Sequence, residues 1–407
     1  MALAPVATDD PVVDPKAVVT AIRTAIGVSD GHGFQPLHAP HFEGAEWEYV
    51  KDCLDTGWVS SVGSYVERFE KDVAAHCGAA HGVAVVNGTA ALQVALQVVG
   101  VEAGDEVILP ALTFVATANA ASYLGAIPHF VDSDPATLGL DPHKLNDYLS
   151  DVSERTLDGV RNRRTGRRIA AIVPMHTFGH AVDMEPLISV AARFGITIVE
   201  DAAESLGSLY KGEKCGSLGR IAAVSFNGNK IITTGGGGAI VTDDAELAAR
   251  AKHLTTTAKV PHKWAFNHDA VGYNYRLPNL NAALGCAQLE KLDNYVVRKR
   301  ALAARYLSAF ETVSGISAYR ERCFAQSNYW LNCLMLDTPS LAVRDAVLTA
   351  TNEAGLMTRP TWTLMPDLPI YADCSSMPLD GAREIEARLI NVPSSVSLPA
   401  QSGGDDL

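Results

Sequence analysis

The stretch VVNGTAALQVAL, residues 85–96, contains the pattern that decides the fold. An apolar run ends at Asn87, the sequence Asn-Gly-Thr turns the chain, and a helical pattern begins at Thr89. The same change from an apolar run to helical spacing follows Glu106–Leu109, after which a helix is expected from about Ala116. Further apolar runs typical of buried strands lie at Pro128–Val131, Ile169–Pro174, Ile196–Val199, Ala222–Phe226 and Ala239–Val241. Strands that alternate with helices in this way predict an α/β fold with a mixed, mostly parallel sheet and helices on both faces.

The length of 407 residues is more than one ordinary core accommodates, and it predicts two packed domains. We expect a tail and short helix over residues 1–35, a large domain over 36–285 and a smaller C-terminal α/β domain over 286–407. Helical spacing is visible at Lys16–Ile26 and again at Glu43–Thr56. A long helical stretch with few breakers, from Leu280 to about Thr312, is expected to lead into the smaller domain.

Composition and charge narrow the class of protein. Hydrophobic residues make up 47% and charged residues 19%, which is the balance of a soluble globular protein. The net charge of −13 argues against nucleic-acid binding, because phosphate backbones require clustered lysine and arginine. The seven cysteines are widely spaced and none forms a CxxC pair, which predicts reduced thiols in the cytoplasm, without a disulfide frame or a metal site. No apolar run reaches membrane-spanning length, and Asp9 and Asp10 lie where an export signal would need a basic start.

Four motifs carry residues suited to chemistry, although each one alone has an ordinary structural explanation. Lys230 follows an apolar strand and precedes Gly235–Gly238, as a surface lysine could, but Ser225 lies five residues before it. A lysine beside a phosphate-binding serine is suited to forming a Schiff base with an aldehyde cofactor. Thr89 could be a plain N-cap or part of an anion cradle at a helix N-terminus. The third and fourth motifs are IVEDAAESLGS, residues 198–208, and VGYNYRLPNLNAALG, residues 271–285.

The third motif places Asp201 directly after an apolar strand. Acidic residues at the carboxyl end of a parallel strand lie where open α/β sheets bind ligands. An aspartate there could cap the following helix, or it could pair with a protonated pyridine nitrogen and make the ring an electron sink. Three features in this chain order together predict an enzyme that uses pyridoxal 5'-phosphate (PLP). They are a phosphate cradle, an acid for a ring nitrogen, and a serine five residues before a lysine.

From about Pro36 to Leu398 the chain resembles the DegT/DnrJ/EryC1/StrS sugar aminotransferases, which have the PLP-dependent fold type I of aspartate aminotransferase. The resemblance implies that Lys230 is the Schiff-base lysine and catalytic residue, that Asp201 pairs with the pyridine nitrogen and that Glu204 lies near the ring. It further implies that Phe114 stacks on the ring and that Asn274 reaches the phosphate in the neighbouring subunit of a homodimer. The implied phosphate ligands are Gly88, Thr89, Ala90 and Ser225. Many relatives have a glutamate where this chain has Gly236, which puts in doubt any substrate contact carried by that acid.

Several stretches, among them residues 36–63 and 359–371, resemble the LegC-type branch of nonulosonic acid pathways. This branch aminates C4 of a UDP-linked 4-keto-6-deoxy-N-acetylhexosamine, and the implied amino donor is glutamate. Residues expected to contact the nucleotide sugar are Ser60, Ser61, Gly63, His176, Tyr275, Arg276 and Trp362. For His176 a structural role is an equal expectation.

Other readings stay open at this point. An aminotransferase of the same family could act at C3, or on a dTDP- or GDP-linked sugar. A sugar dehydratase of related fold would have histidine in place of Lys230. A non-catalytic PLP-binding regulator would need a basic DNA-binding arm, whereas residues 1–35 contain only Lys16 and Arg23 as bases. A nicotinamide-dependent oxidoreductase would carry its glycine fingerprint in the first βα unit, not after a late strand.

Overall fold

The computed structural model describes residues 13–29, 31, 33–157 and 159–398. Its helices are α1 Pro15–Ile26, α2 Glu46–Thr56, α3 Ser64–Cys77, α4 Gly88–Val98, α5 Val115–Tyr123, α6 Pro142–Val152, α7 Met184–Phe194, α8 Ala245–Thr255, α9 Asn279–Leu289, α10 Leu292–Ala309, α11 Leu341–Glu353 and α12 Asp380–Arg388. Its strands are β1 His81–Val85, β2 Glu106–Pro110, β3 Ile127–Val131, β4 Ser153–Thr156, β5 Gly159–Asn162, β6 Ile169–Ile172, β7 Thr197–Asp201, β8 Leu209–Tyr210, β9 Glu213–Lys214, β10 Ile221–Ser225, β11 Gly238–Thr242, β12 Lys259–Val260, β13 Asn267–His268, β14 Ile316–Ala318, β15 Ala325–Gln326, β16 Asn332–Leu336, β17 Arg359–Pro360 and β18 Leu389–Val392.

The central sheet has the strand order β1-β11-β10-β7-β6-β2-β3. Strand β11 is antiparallel to both of its neighbours, and the other adjacent pairs are parallel. Strand β2 is buried at every position, as expected for a strand covered by helices on both faces. The predicted α/β fold with a mixed, mostly parallel sheet is confirmed.

One edge of the central sheet collects the ends of its parallel strands. Strand β7 ends on Asp201 and β10 ends on Ser225, while β1 leads through Asn87 into α4. Strand β2 leads into the short loop that ends at Phe114, before α5. Residues that are far apart in the sequence therefore meet at this edge, where open α/β sheets bind ligands.

The C-terminal part of the chain forms a second, antiparallel sheet of order β14-β16-β18-β17. Its core also contains the apolar side of α1, from the opposite end of the chain. Val18, Ile22 and Ile26 pack in one cluster with residues of α10, α11, β16 and β18. The smaller unit is therefore built from both ends of the described chain.

The helical stretch expected from Leu280 to about Thr312 is divided into α9 and α10, which separate at Glu290 and Lys291. Glu290 accepts hydrogen bonds from Tyr49 at 2.7 Å and Arg68 at 2.6 Å, and these bonds tie the junction to α2 and α3. Helix α9 itself packs on α2 and α3. Because the boundary expected between residues 285 and 286 falls inside α9, we propose the domain junction at Glu290–Lys291 instead. None of the helices in the described ranges combines the length and apolar character that crossing a lipid bilayer requires.

Candidate active site

A cavity of about 260 Å³ opens at the carboxyl edge of the central sheet. Within the described part of the chain, Lys230 is the one positively charged side chain in its lining. Trp330 and Trp362, which come from the C-terminal half, close one side of it. The lining includes eight residues that the sequence predicted: Gly88, Thr89, Phe114, Asp201, Glu204, Ser225, Lys230 and Trp362.

The N-terminus of α4, where the sequence predicts an anion cradle, lines this cavity. The N–H groups of a first helical turn have no acceptor inside the helix, so those of Gly88 and Thr89 can bind an anion. Gly88 lies so close to Ser225 that an added Cβ would be 2.9 Å from the Cβ of the serine and 3.2 Å from its hydroxyl. The Ala90 N–H donates to the Asn87 side chain at 2.8 Å, and its expected contact with a phosphate stays a prediction.

Asp201 supplies a buried carboxylate at the end of β7. Its Oδ2 accepts a hydrogen bond from the Thr117 hydroxyl at 2.7 Å, and its Oδ1 accepts one from the Ala203 N–H at 3.2 Å. Burial raises the pKa of the Asp201 carboxyl, while these two hydrogen bonds and the charge of Lys230 act in the opposite direction. The side chain is therefore held by its neighbours in an orientation that faces the cavity.

Glu204 is a second buried acid, three residues after Asp201. Its Oε2 accepts a hydrogen bond from the Phe178 N–H at 2.8 Å, and its Oε1 lies 3.3 Å from Nζ of Lys230. Burial raises the pKa of Glu204 to about 7, against the lowering effect of Lys230. A carboxyl with such a pKa can accept and release a proton near neutral pH.

The Lys230 amine lies between Glu204 and the indole ring of Trp330, with its Nζ 4.1 Å from the ring centroid. Phe114, Phe178 and Trp362 continue this aromatic side of the site. The Trp362 ring centroid is 4.8 Å from that of Phe178 and 6.1 Å from that of Phe114. Phe114 is 48% exposed in this single chain, so its ring face is available to a planar ligand.

The segment from Asn274 to Arg276 borders β1 outside the cavity lining. The Tyr275 carbonyl accepts a hydrogen bond from the Val86 N–H at 2.9 Å, next to the anion cradle. The Tyr275 hydroxyl donates to Gln93 at 3.1 Å, and its ring stacks on Tyr273. The Asn274 side chain contacts the Arg276 guanidinium at 3.3 and 3.4 Å. These residues do not reach the cavity of their own chain, so their substrate and cross-subunit roles stay predictions.

Ser60, Ser61 and Gly63 lie in the segment before α3, against the start of α9. The Ser60 carbonyl accepts a hydrogen bond from the Asn279 N–H at 2.6 Å. Gly63 approaches Asn279 so closely that an added Cβ would be 2.3 Å from its side chain. Gly63 lines a separate cavity and none of the three lines the site that contains Lys230. Their expected contact with a sugar stays a prediction.

His176 lies in a buried hydrogen-bond network below the cavity-lining residues of the sheet edge. Its side chain is fully buried, Nε2 is 2.9 Å from a carboxylate oxygen of Glu200, and Nδ1 accepts the Val182 N–H at 3.2 Å. Glu200 also accepts backbone N–H groups of Gly216, Leu218 and Gly219. Both ring nitrogens of His176 therefore have partners within the chain, as the structural alternative expected, and the substrate contact stays a prediction.

Thr117, which contacts Asp201, and Trp330, which contacts Lys230, were not foreseen from the sequence. Thr117 lies one helical turn after Phe114, and this spacing could have placed both on the side of α5 that faces the site. Trp330 lies 100 positions after Lys230, and its weak signal was a polar and aromatic entry, Asn328-Tyr329-Trp330, into an apolar strand. Only the three-dimensional structure brings it to the lysine.

Comparison with known proteins assigns the chain to a family. It matches the model of the DegT/DnrJ/EryC1/StrS aminotransferase family over residues 40–402. The chain belongs to this family. It is 37% identical over 361 residues to a GDP-perosamine synthase of Caulobacter vibrioides, with 88% of this chain and 93% of that protein covered.

Solved structures of DegT/DnrJ/EryC1/StrS-like enzymes share the fold. The aminotransferase TlmJ from Streptoalloteichus hindustanus matches with a TM-score of 0.81 at 29% identity, over 90% of this chain and 95% of that one. DesI, solved in the presence of its TDP-sugar product, matches with a TM-score of 0.78 at 28% identity, over 92% and 91%.

Aminotransferases of the DegT/DnrJ/EryC1/StrS family use PLP, and the residues at the cavity fit that cofactor. The N–H groups of Gly88 and Thr89 at the start of α4, beside the Ser225 hydroxyl, suit a phosphate. Glycine is required at position 88 because an added Cβ would meet the serine. Asp201 offers a buried carboxylate for a protonated ring nitrogen, and Lys230 offers the amine. The chain is therefore a PLP-dependent aminotransferase.

Proposed function

We propose that this aminotransferase moves an amino group from an amino acid, expected to be glutamate, to C4 of a nucleotide-linked 4-keto-6-deoxy sugar. The observation that carries the proposal is the convergence of the Lys230 amine, the Asp201 carboxylate and the Gly88–Thr89 cradle on one cavity. The name of the GDP-perosamine synthase relative supports a nucleotide sugar as the acceptor class.

Different residues of the cavity would bind the cofactor and move the proton. Gly88, Thr89 and Ser225 would hold the cofactor phosphate, and the Phe114 ring would cover one face of the pyridine. Bound PLP supplies an electron sink for the bond changes at the donor and acceptor carbons. Asp201 would keep the pyridine nitrogen protonated. The free amine of Lys230 would take up a proton at Nζ and later return it.

We propose Glu204 as the acid that shares the amine of Lys230 during this proton movement. Its Oε1 lies 3.3 Å from Nζ, and burial raises the pKa of its carboxyl to about 7. A carboxyl with that pKa can stabilise the ammonium when ionised and can become neutral when the amine does. The same position is often glutamine or histidine in relatives, which provides the matching substitutions for a test.

We also propose a homodimer with shared active sites, in the cytoplasm. Among the described residues, the cavity lining has one cationic side chain, that of Lys230, although a nucleotide diphosphate carries several negative charges. Large apolar side chains are exposed on the single chain and would be covered in a dimer, among them Trp47, Trp58, Trp264 and Phe266. In such a dimer Asn274 and the segment around Ser60 would be offered to the neighbouring site. Sedimentation of the protein at micromolar concentration tests the dimer.

The nucleotide has two candidates. The LegC-type resemblance predicts a UDP-linked N-acetylated sugar, and the GDP-perosamine synthase relative favours a GDP-linked one. A screen of UDP-, GDP- and dTDP-linked 4-keto-6-deoxy sugars with glutamate, followed by release of 2-oxoglutarate, separates them. NMR of the amino-sugar product distinguishes C4 from C3 amination. Turnover of dTDP sugars alone would contradict both candidates.

The cofactor part has its own test. Protein supplemented with PLP should show an absorbance band at about 400–430 nm that borohydride abolishes, with the reduced adduct on Lys230. Lys230→Ala should lack both the band and the adduct, while Lys214→Ala, which removes a partly exposed lysine of β9, should keep both. Absence of the band in the unaltered protein would refute the proposal.

A further inference from the structure

Trp330 makes two contacts with the Lys230 segment that the roles above leave unexplained. Its indole N–H donates a hydrogen bond to the Asn229 carbonyl at 2.7 Å, which fixes the residue directly before the lysine. Its ring lies under the lysine amine, with Nζ 4.1 Å from the centroid. One side chain thus holds the backbone of the lysine turn and offers a π face to its amine.

The backbone around Trp330 is built to keep the ring in that place. The Trp330 N–H donates to the Asn328 side chain at 2.7 Å, and the amide of Asn328 donates to the carbonyls of Glu204 and Leu206 at 3.0 and 2.9 Å. Tyr329 has a φ of 47°, a left-handed conformation that is uncommon for a tyrosine. Because Asn328 is bonded both to Trp330 and to the loop that carries Glu204, the two groups that contact the Lys230 amine are positioned together.

We propose that Trp330 is a positioning residue that receives the protonated amine of Lys230 whenever the lysine is not bonded to the cofactor. This inference rests on the proposed function of Lys230. An ammonium over the face of a tryptophan is attracted by the ring quadrupole, and the attraction is stronger in a desolvated site. A neutral amine is attracted much less strongly by the ring. The indole therefore stabilises the Lys230 Nζ after the amine has taken up a proton, and it keeps the ammonium beside Glu204 until the proton is returned.

Other charged or titratable groups face the same amine. Glu204 lies at 3.3 Å, and Asp201 and His38 are within electrostatic range of it. The carboxylates favour the ammonium, as the indole does. Burial, Lys299 and Lys230 lower the pKa of His38 well below its ordinary value, so this imidazole is neutral. The effect of the ring must therefore be separated from that of Glu204 by separate variants.

The experiment measures the protonation of Lys230 directly. The protein without cofactor is labelled with trace acetic anhydride from about pH 6 to about pH 11, and acetylation of Lys230 is read by peptide mass spectrometry. The midpoint of the labelling curve reports the pKa of the Lys230 amine. For Trp330→Leu we expect a midpoint about one pH unit lower than in the unaltered protein, which is a tenfold weaker preference for the ammonium.

Three further variants complete the design. Trp362→Leu removes an indole from the same cavity, but its ring contacts Phe114 and Phe178 and not the amine, so its midpoint should be unchanged. Trp330→Phe keeps a weaker π face and should shift the midpoint in the same direction by about half a unit. Trp330→Phe also provides the test of the inference if Trp330→Leu fails to fold. Glu204→Gln, with the indole in place, gives the separate contribution of the carboxylate.

The outcomes are distinct. A purely structural Trp330 would change the rate of labelling at every pH without moving the midpoint. An unchanged midpoint in the leucine variant, an equal shift in Trp362→Leu, or a midpoint in Trp330→Phe at or above that of the unaltered protein would overturn the inference. The labelling needs no cofactor, whereas the absorbance band and borohydride adduct on Lys230 test the proposed function. Failure of the inference about Trp330 can therefore be distinguished from failure of the proposed function of Lys230.

Discussion

The hydrogen bond from Thr117 to Asp201 offers a sharp test of the proposed role of the aspartate. The Thr117 hydroxyl donates to Oδ2 at 2.7 Å, and both side chains are almost fully buried, at 1% and 2% exposure. Thr117→Val keeps the shape of the side chain and removes the hydroxyl, which donates to Asp201 and also contacts the Thr113 hydroxyl. The Asp201 carboxylate then retains the Ala203 N–H and the charge of Lys230 as stabilising partners.

The magnitude follows from the strength of that bond. A hydrogen bond to a charged group contributes about 1.5–3 kcal/mol, and each pKa unit corresponds to about 1.4 kcal/mol, so losing it should raise the pKa of Asp201 by about 1–2 units. A carboxyl with a higher pKa is protonated at higher pH. The acid limb of the pH profile of kcat/KM should therefore move to higher pH by the same 1–2 units.

The assay is the pH dependence of kcat/KM for amino transfer from glutamate. Thr113→Val is the matched control, because the Thr113 hydroxyl contacts Thr117 and Met175, both at 2.9 Å, and not Asp201. Its acid limb should move much less. An acid limb that stays in place in Thr117→Val, or that moves equally in the control, would refute the assignment of this limb to Asp201.

Three further predictions concern stability in urea. Burial raises the pKa of Glu204 to about 7, from 4.5 when the group is exposed. Because the folded protein then holds this proton more tightly than the unfolded chain, the unfolding free energy should fall by up to about 3 kcal/mol as the pH rises from 4.5 to about 7. Glu204→Gln should remove this fall. Asn328→Ala loses three buried hydrogen bonds and should cost about 3 kcal/mol, seen as a lower urea midpoint. Gly238→Ala places a Cβ 2.4 Å from the Asn87 carbonyl carbon and should cost about 1–3 kcal/mol, whereas Gly236→Ala meets nothing within 4 Å and should cost little.

Much of the sheet and its ligand-binding edge could be predicted from the sequence. Buried strands appear as short apolar runs, and the carboxyl ends of parallel strands must meet, so Asp201 and Ser225 could be assigned to one place without coordinates. The structure brings them together with Lys230 and Gly88 in one cavity. Their roles toward a cofactor stay predictions.

Other features had no local signal. Trp330 reaches Lys230 through a left-handed Tyr329 and a buried Asn328, and neither geometry follows from periodicity. A histidine after a strand gives no indication of whether it faces ligand or core, and the pairing of His176 with the Glu200 carboxylate had no signal in the sequence. The separation of α9 from α10 depends on bonds from Tyr49 and Arg68, which are more than 200 positions away.

The position of α1 has a consequence for synthesis of the chain. Val18, Ile22 and Ile26 complete a cluster whose other members include Leu302, Val347 and Ile390. At ordinary translation rates the last of these emerges from the ribosome on the order of tens of seconds after the helix. During that interval the apolar stripe of α1 has no native surface to cover it. The first of the described helices is thus among the last to find its native packing partners.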